Sequence, residues 1–160
     1  MSATTFLAAL ALLETRISGI GTDQGFHFDL GASVYVEGLV PVPVDDQQLP
    51  WPGSVVIDPG TSSATPNSGE IRASTARVEA IFERTISVVA AWPIEDKARW
   101  LEYEQKIGAD LRRAILVDQS AYHSIGVQRI TPTEQESNWP QAGSKVLFVK
   151  SDFSLRYVES

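Results

Sequence analysis

Two long stretches that alternate between apolar and polar residues constrain this chain most. Over residues 78–90 the even positions read Val, Ala, Phe, Arg, Ile, Val and Ala, interrupted only at Arg84. Over 147–157 the odd positions read Leu, Val, Ser, Phe, Leu and Tyr, interrupted only at Ser151. Side chains on a strand point to alternate faces, so each stretch predicts a long strand with one buried side. Val78, Phe82, Ile86 and Val89 would also make a helical stripe. The β-branched run TISVV at 85–89 decides for a strand. Ser151-Asp152 does not reverse the phase, which predicts one long bent strand at the end of the chain.

The apolar side of such a sheet needs a covering layer, and two helical patterns supply it. Phe6, Leu10, Leu13 and Ile17 step by four, three and four, which predicts a helix over 3–17. Ser2, Thr4 and Thr5 are candidate caps, and Gly19 and Gly21 stop it. Trp100, Glu104, Ile107, Leu111 and Ala114 repeat the spacing. With Pro93 placed to open a helix, this pattern predicts a helix over 93–116. Glu95 and Asp96 in its first turn, and Arg112 and Arg113 near its end, suit the helix dipole. The N-terminal FLAALALL has the look of a signal sequence. No basic residue precedes it, however, and Glu14 and Arg16 continue its pattern, so it reads as an ordinary helix.

The intervening segments are shorter. Residues 26–37 predict a turn and a short strand around Val34, Tyr35 and Val36. Four prolines at 41, 43, 50 and 52 make 39–53 a connector. Ser54–Asp58 (SVVID) reads as a short buried strand. Residues 59–69, PGTSSATPNSG, form the clearest flexible loop. Residues 118–144 read as loop-rich, with a short strand at 127–131. The order is thus α, β, β, β, α, β, with no repeat and no linker. The chain of 160 residues is read as one α+β domain over 1–160. Its sheet is mostly antiparallel or mixed, with two main helices packed on one face.

Composition excludes several functions. With no cysteine, disulfides, thiol nucleophiles and cysteine-rich zinc sites are ruled out. A net charge of −7 argues against phosphate neutralisation as a way of binding nucleic acid. No apolar run approaches the ~18 residues of a membrane span.

Catalytic signatures are equally sparse. His27 and His123 are the only histidines, and neither has a partner at metal-ligand spacing. His27-Phe28-Asp29 would place two ligands on one side of a strand, too few for a metal site. GIGTDQG at 19–25 follows a helix and has the wrong glycine spacing for a dinucleotide fingerprint. There is no G-x-S-x-G elbow and no phosphate loop. Glu102 and Glu104 are two apart on a helix and read as a solvated face. We therefore expect no catalytic residues, no cofactor and no metal.

Tryptophans at 51, 92, 100 and 139 leave more open. Trp100 reads as core. Trp51 and Trp139 lie beside prolines in loops, either folded back on the body or anchoring a partner. The candidate interface residues are Trp51, Trp139 and the loop Pro59, Gly60, Thr61, Ser62, Ser63, Ala64, Thr65, Pro66, Asn67, Ser68 and Gly69.

Several segments together resemble one family. These are FLAALALLETRI, GFHFDLGASVYVEG, DDQQLPWPGSVVIDPG, RTISVVAAWP with the helix after it, and LFVKSDFSLRYVES. Their order is similar to that of the tail terminator proteins of long-tailed bacteriophages, also called tail completion or minor tail proteins. Nearly the whole chain takes part, although the shared segments are fold markers and not catalytic signatures. Members usually pass from Leu-Pro straight into the apolar strand, whereas here Trp51-Pro52-Gly53 intervenes.

The resemblance implies a virion protein of the tail or neck, assembled in the host cytoplasm. It implies a homo-oligomer, a hexameric ring, on the head-proximal end of the tail tube. There it would stop polymerisation of the tail tube protein and present a surface to the head–tail connector protein. DNA would pass through the lumen without specific binding. A connector or stopper of the same neck region is the nearest alternative. A small soluble enzyme and a binding module using the loop tryptophans are readings of other classes.

Overall fold

The computed structural model describes residues 4–36, 53–60, 62–64, 72–74, 77–137 and 145–159. Five strands lie side by side in the order β1-β2-β5-β7-β6. These are β1 (Val34–Val36), β2 (Ser54–Asp58), β5 (Arg77–Pro93), β6 (Val127–Ser137) and β7 (Val146–Glu159). Strands β1 and β2 run parallel and every other pair is antiparallel. Two short strands, β3 (Ser62–Ala64) and β4 (Arg72–Ser74), pair further along β5. Helices α1 (Thr5–Ser18) and α2 (Trp100–Leu116) pack on one face of this mixed sheet, so the chain is a single α+β domain.

The alternation seen in the sequence sets the register. Strands β5 and β7 pair without interruption from Ala80↔Glu159 to Pro93↔Val146. Cross-strand partners share a face. Ile86, Val88 and Ala90 therefore lie beside Phe153, Ser151 and Val149, and all six are buried. Helix α2 lays Ile107, Leu111, Ala114 and Ile115 over this surface. Each large side chain so buried contributes roughly 1.5–3 kcal/mol.

Helix ends are tied from elsewhere in the fold. Thr4 caps α1 by accepting from Leu7 N. No acid stands in the first turn of α1, but the Glu159 carboxylate accepts from Phe6 N at 2.8 Å. Arg16 of α1 closes the far end of α2, donating to the carbonyls of Ile115, Val117 and Asp118. Its guanidinium lies 4.6 Å from the ring centre of Tyr122, in the short helix α3 (Ser120–Ser124).

Five expectations need correcting. The second helix does not start at Pro93, which is the last residue of β5. Pairing continues one step further, where Ile94 N donates to Lys145 O. The turn then forms at Asp96, whose carboxylate caps Ala98 N, and α2 proper begins at Trp100. Trp100 is only partly buried against the core.

The strand expected at 127–131 runs to Ser137, and α3 occupies 120–124. Register shifts between Val127 and Arg129, and between Pro132 and Glu134, break the alternation that would have revealed β6. Pro132 is accommodated because β6 lies at the end of the strand order. His27 and Asp29 do not lie on a strand either. His27 sits in a bend and Asp29 immediately precedes a 3₁₀ turn, both ahead of β1. Lastly, part of the expected loop 59–69 is strand, since Ser62–Ala64 pairs with Phe82–Arg84.

Candidate functional site

The alternation fails at Arg84 and Ser151, and an acid, Asp110, interrupts the apolar stripe of α2. Arg84 stands in the inward row of β5. It reaches the kink between β2 and β3, donating from Nε to Pro59 O at 2.5 Å and from Nη2 to Gly60 O at 2.8 Å. Its guanidinium also covers the Phe6 ring at 3.8 Å, a geometry that favours cation–π attraction. Gly60 adopts φ +62° and its N–H donates to the Asp58 carboxylate. A Cβ there would lie 2.1 Å from Thr85 O, so this approach to β5 needs glycine. Pro59 and Gly60 are therefore clamped to β5.

Among the candidate interface residues, the structure thus places Pro59 and Gly60 in this clamp, and Ser62, Ser63 and Ala64 on the edge of β5. Trp51, Thr61, Thr65, Pro66, Asn67, Ser68, Gly69 and Trp139 lie outside the described residues. Strands β2 and β3 follow one another along the same side of β5, because β7 takes the other side. With β4, they make an interrupted arm of a long hairpin.

The sheet face turned away from the helices is mixed in character. Val56, Val89 and the exposed Phe148 form its apolar part. Around them Lys150 lies 3.5 Å from Glu136, Arg156 lies 3.8 Å from Glu83, and Ser87 Oγ donates to Asp152 at 2.7 Å. A shallow depression of about 510 Å³ runs from Gly60 past Ser87 to Lys150 and Ser154. The face thus combines a small apolar patch with a rim of paired charges, beside a clamped arm.

Asp110 was not singled out in the sequence, yet it is the most buried charged residue of the described set, 2% exposed. It sits between Ile107, Leu111 and Ala114, within the apolar stripe of α2, and an acid there was the available signal. Its carboxylate accepts from the backbone N–H of His27 and of Phe28, each at 3.0 Å. His27 Nδ1 lies 2.8 Å from its other oxygen. Phe28, held in this way, packs 5.1 Å from the Trp92 ring and 5.2 Å from the Tyr103 ring.

His27 and Asp110 resemble the base and orienting acid of a hydrolytic triad. Among the described residues, no hydroxyl hydrogen-bonds to the His27 ring. The backbone bonds make the carboxylate a tether for the turn. Asp29 serves a separate turn, accepting from Thr22 N and Oγ, so the two residues of the HFD motif bond to different partners.

Other charges are local. Hydrogen bonds from Arg99 and Lys106 hold the Glu102 carboxyl at about 2 on the solvated face of α2. Burial pushes the Tyr122 hydroxyl up to about 12, and that hydroxyl has no hydrogen-bond partner among the described residues. Among the described residues there is no cluster of three or more metal-ligating side chains. Nor is any described helix long and apolar enough to cross a membrane.

No protein-family model matches this chain. No curated protein matches it significantly either.

Proposed function

We propose that this chain is the ring-forming subunit of a phage tail terminator. The observation that carries this is the placement of the resembling segments on successive core elements. FLAALALLETRI lies in α1, the end of the glycine-rich segment forms β1, SVVID forms β2, RTISVVAAWP forms most of β5, and the final segment forms β7. The helix-free sheet face and the clamped β2–β3 arm supply surfaces for neighbouring subunits and for the tail tube protein. On this reading the acidic chain disfavours retention of DNA as it passes through the lumen. The protein acts by assembly and carries no catalytic step.

Disrupting the gene in a phage that encodes it tests the proposal. Electron microscopy of the lysate is expected to show overlong tails detached from filled heads. Tails of normal length that fail to join would transfer the role to a head–tail connector. Intact virions would overturn the structural reading.

A further inference from the structure

On the sheet face away from the helices, charge is sorted by sign along β6 and β7. Arg129 stands opposite Arg156, Thr131 opposite Ser154, and Glu134 opposite Asp152. Arg156, Ser154 and Asp152 alternate with the buried Tyr157, Leu155 and Phe153. Cross-strand partners share a face, so all three pairs point away from the helices.

Like charges directly opposite one another destabilise a sheet, and each of the two like pairs is only half relieved. Arg156 donates from Nε to Gln128 at 3.0 Å and lies 3.8 Å from Glu83. Asp152 accepts from Ser87 Oγ at 2.7 Å and lies 3.9 Å from Lys150. Arg129 and Glu134 are exposed, and neither has an ion-pair or hydrogen-bond partner among the described residues.

One unpaired cation and one unpaired anion thus share the outer face of β6. Their partners on β7 are four residues apart, ~14 Å, with the short side chains of Thr131 and Ser154 midway between them. This pattern is complementary to itself. Consider a second copy rotated by a half-turn about an axis that lies between the two faces and crosses the strands at Thr131 and Ser154. It lays Arg129 over the partner's Glu134, and Arg156 over the partner's Asp152. It also lays Val89 over the partner's Ile81, because their β7 neighbours Lys150 and Val158 are equally far from Ser154. Among the described residues, no two like charges come to lie directly over one another. Stacked sheets are ~10 Å apart, a gap that an arginine and a glutamate side chain bridge together.

We propose that this face pairs with the same face of a second copy, through two reciprocal Arg129–Glu134 contacts about a two-fold axis at Thr131 and Ser154. A two-fold contact closes at two copies, whereas a ring is closed by head-to-tail contacts. The pairing therefore stands or falls without the ring reading. It spans only β5, β7 and β6, so it is a small interface with a concentration-dependent equilibrium.

Sedimentation velocity over a concentration series, at low and at high salt, tests it. Wild type is expected to dimerise as concentration rises, and less so at high salt. Arg129→Glu and Glu134→Arg each turn both reciprocal contacts repulsive, and each is expected to weaken dimerisation at least about ten-fold. Each also removes a like pair within its own chain, so both variants are expected to stay folded. The double variant Arg129→Glu/Glu134→Arg restores the dimer. An equal mixture of the two single variants restores it too, because each then meets its complement. A wild-type monomer at every concentration would overturn the proposal. So would an assembly that both single variants leave unchanged, or a double variant and a mixture that associate no better than the single variants.

Discussion

Replacing Asp110 separates two roles that a buried carboxylate can have. In Asp110→Ala, the backbone N–H groups of His27 and Phe28 lose their acceptor inside the fold. Each buried donor left unpaired costs about 1–3 kcal/mol, and a cavity adds to this, so a total of roughly 3 kcal/mol is expected. Asp110→Asn behaves differently. Both backbone donors lie 3.0 Å from the same oxygen, Oδ2, so an asparagine carbonyl in that place keeps both bonds. Its amide then donates to His27 Nδ1, which accepts in the Nε2–H tautomer. Only the charge-assisted part is lost, about 1 kcal/mol. For a domain of this size each kcal/mol shifts Tm by ~2–4 °C. Asp110→Ala should therefore lose roughly 6–12 °C and Asp110→Asn roughly 2–4 °C. Urea unfolding followed by tryptophan fluorescence, at one fixed protein concentration, measures both variants. An alanine variant within about 0.5 kcal/mol of wild type would show that the tether is not what holds the turn.

Three further perturbations follow from the same geometry. Gly60→Ala meets both a positive φ and the nearby Thr85 carbonyl, and is expected to destabilise by about 1–3 kcal/mol in urea unfolding. Glu159→Ala removes the carboxylate at the start of α1 and should cost about 1 kcal/mol, with Glu159→Gln retaining much of the bond. Tyr122 is held neutral in the fold, so the unfolded chain loses that proton first. Stability therefore falls, by an amount on the order of 2 kcal/mol, as pH rises from ~10 towards 12. Tyr122→Phe should flatten that part of the alkaline stability curve while leaving stability near pH 7 unchanged or slightly raised, as chemical denaturation across that range will show.

Much of the fold was legible because one buried face imposes a strict period. The even row of β5 and the odd row of β7 mark the inward face, and the α2 stripe marks the surface that covers it. The same logic explains what was hidden. In β6 two register shifts reset the alternation, so an eleven-residue strand read as a short one. Strand β3 has only three residues, and its pairing with β5 is set by a partner that local composition does not announce. The start of α2 was misplaced because Pro93 suits both a helix opening and the end of a strand, and its pairing with Val146 decides for the strand.

The site residues follow a related rule. Arg84 and Ser151 were visible as breaks in their rows, but the clamp on Pro59–Gly60 depends on tertiary contacts. Asp110 was hidden by its partners, since His27 and Phe28 lie 83 and 82 positions away. An ionisable residue inside an apolar stripe is costly unless it is paired, and that cost was the one local hint of a long-range tether.

The most direct measurement of the proposed role adds the purified protein to polymerising tail tube protein from the same genome, with electron microscopy of the products. A terminator yields closed rings on its own and short tubes, each ending in a ring, as the ratio of this protein is raised. A protein that stays monomeric and leaves tube length unchanged at every ratio would contradict the proposed role.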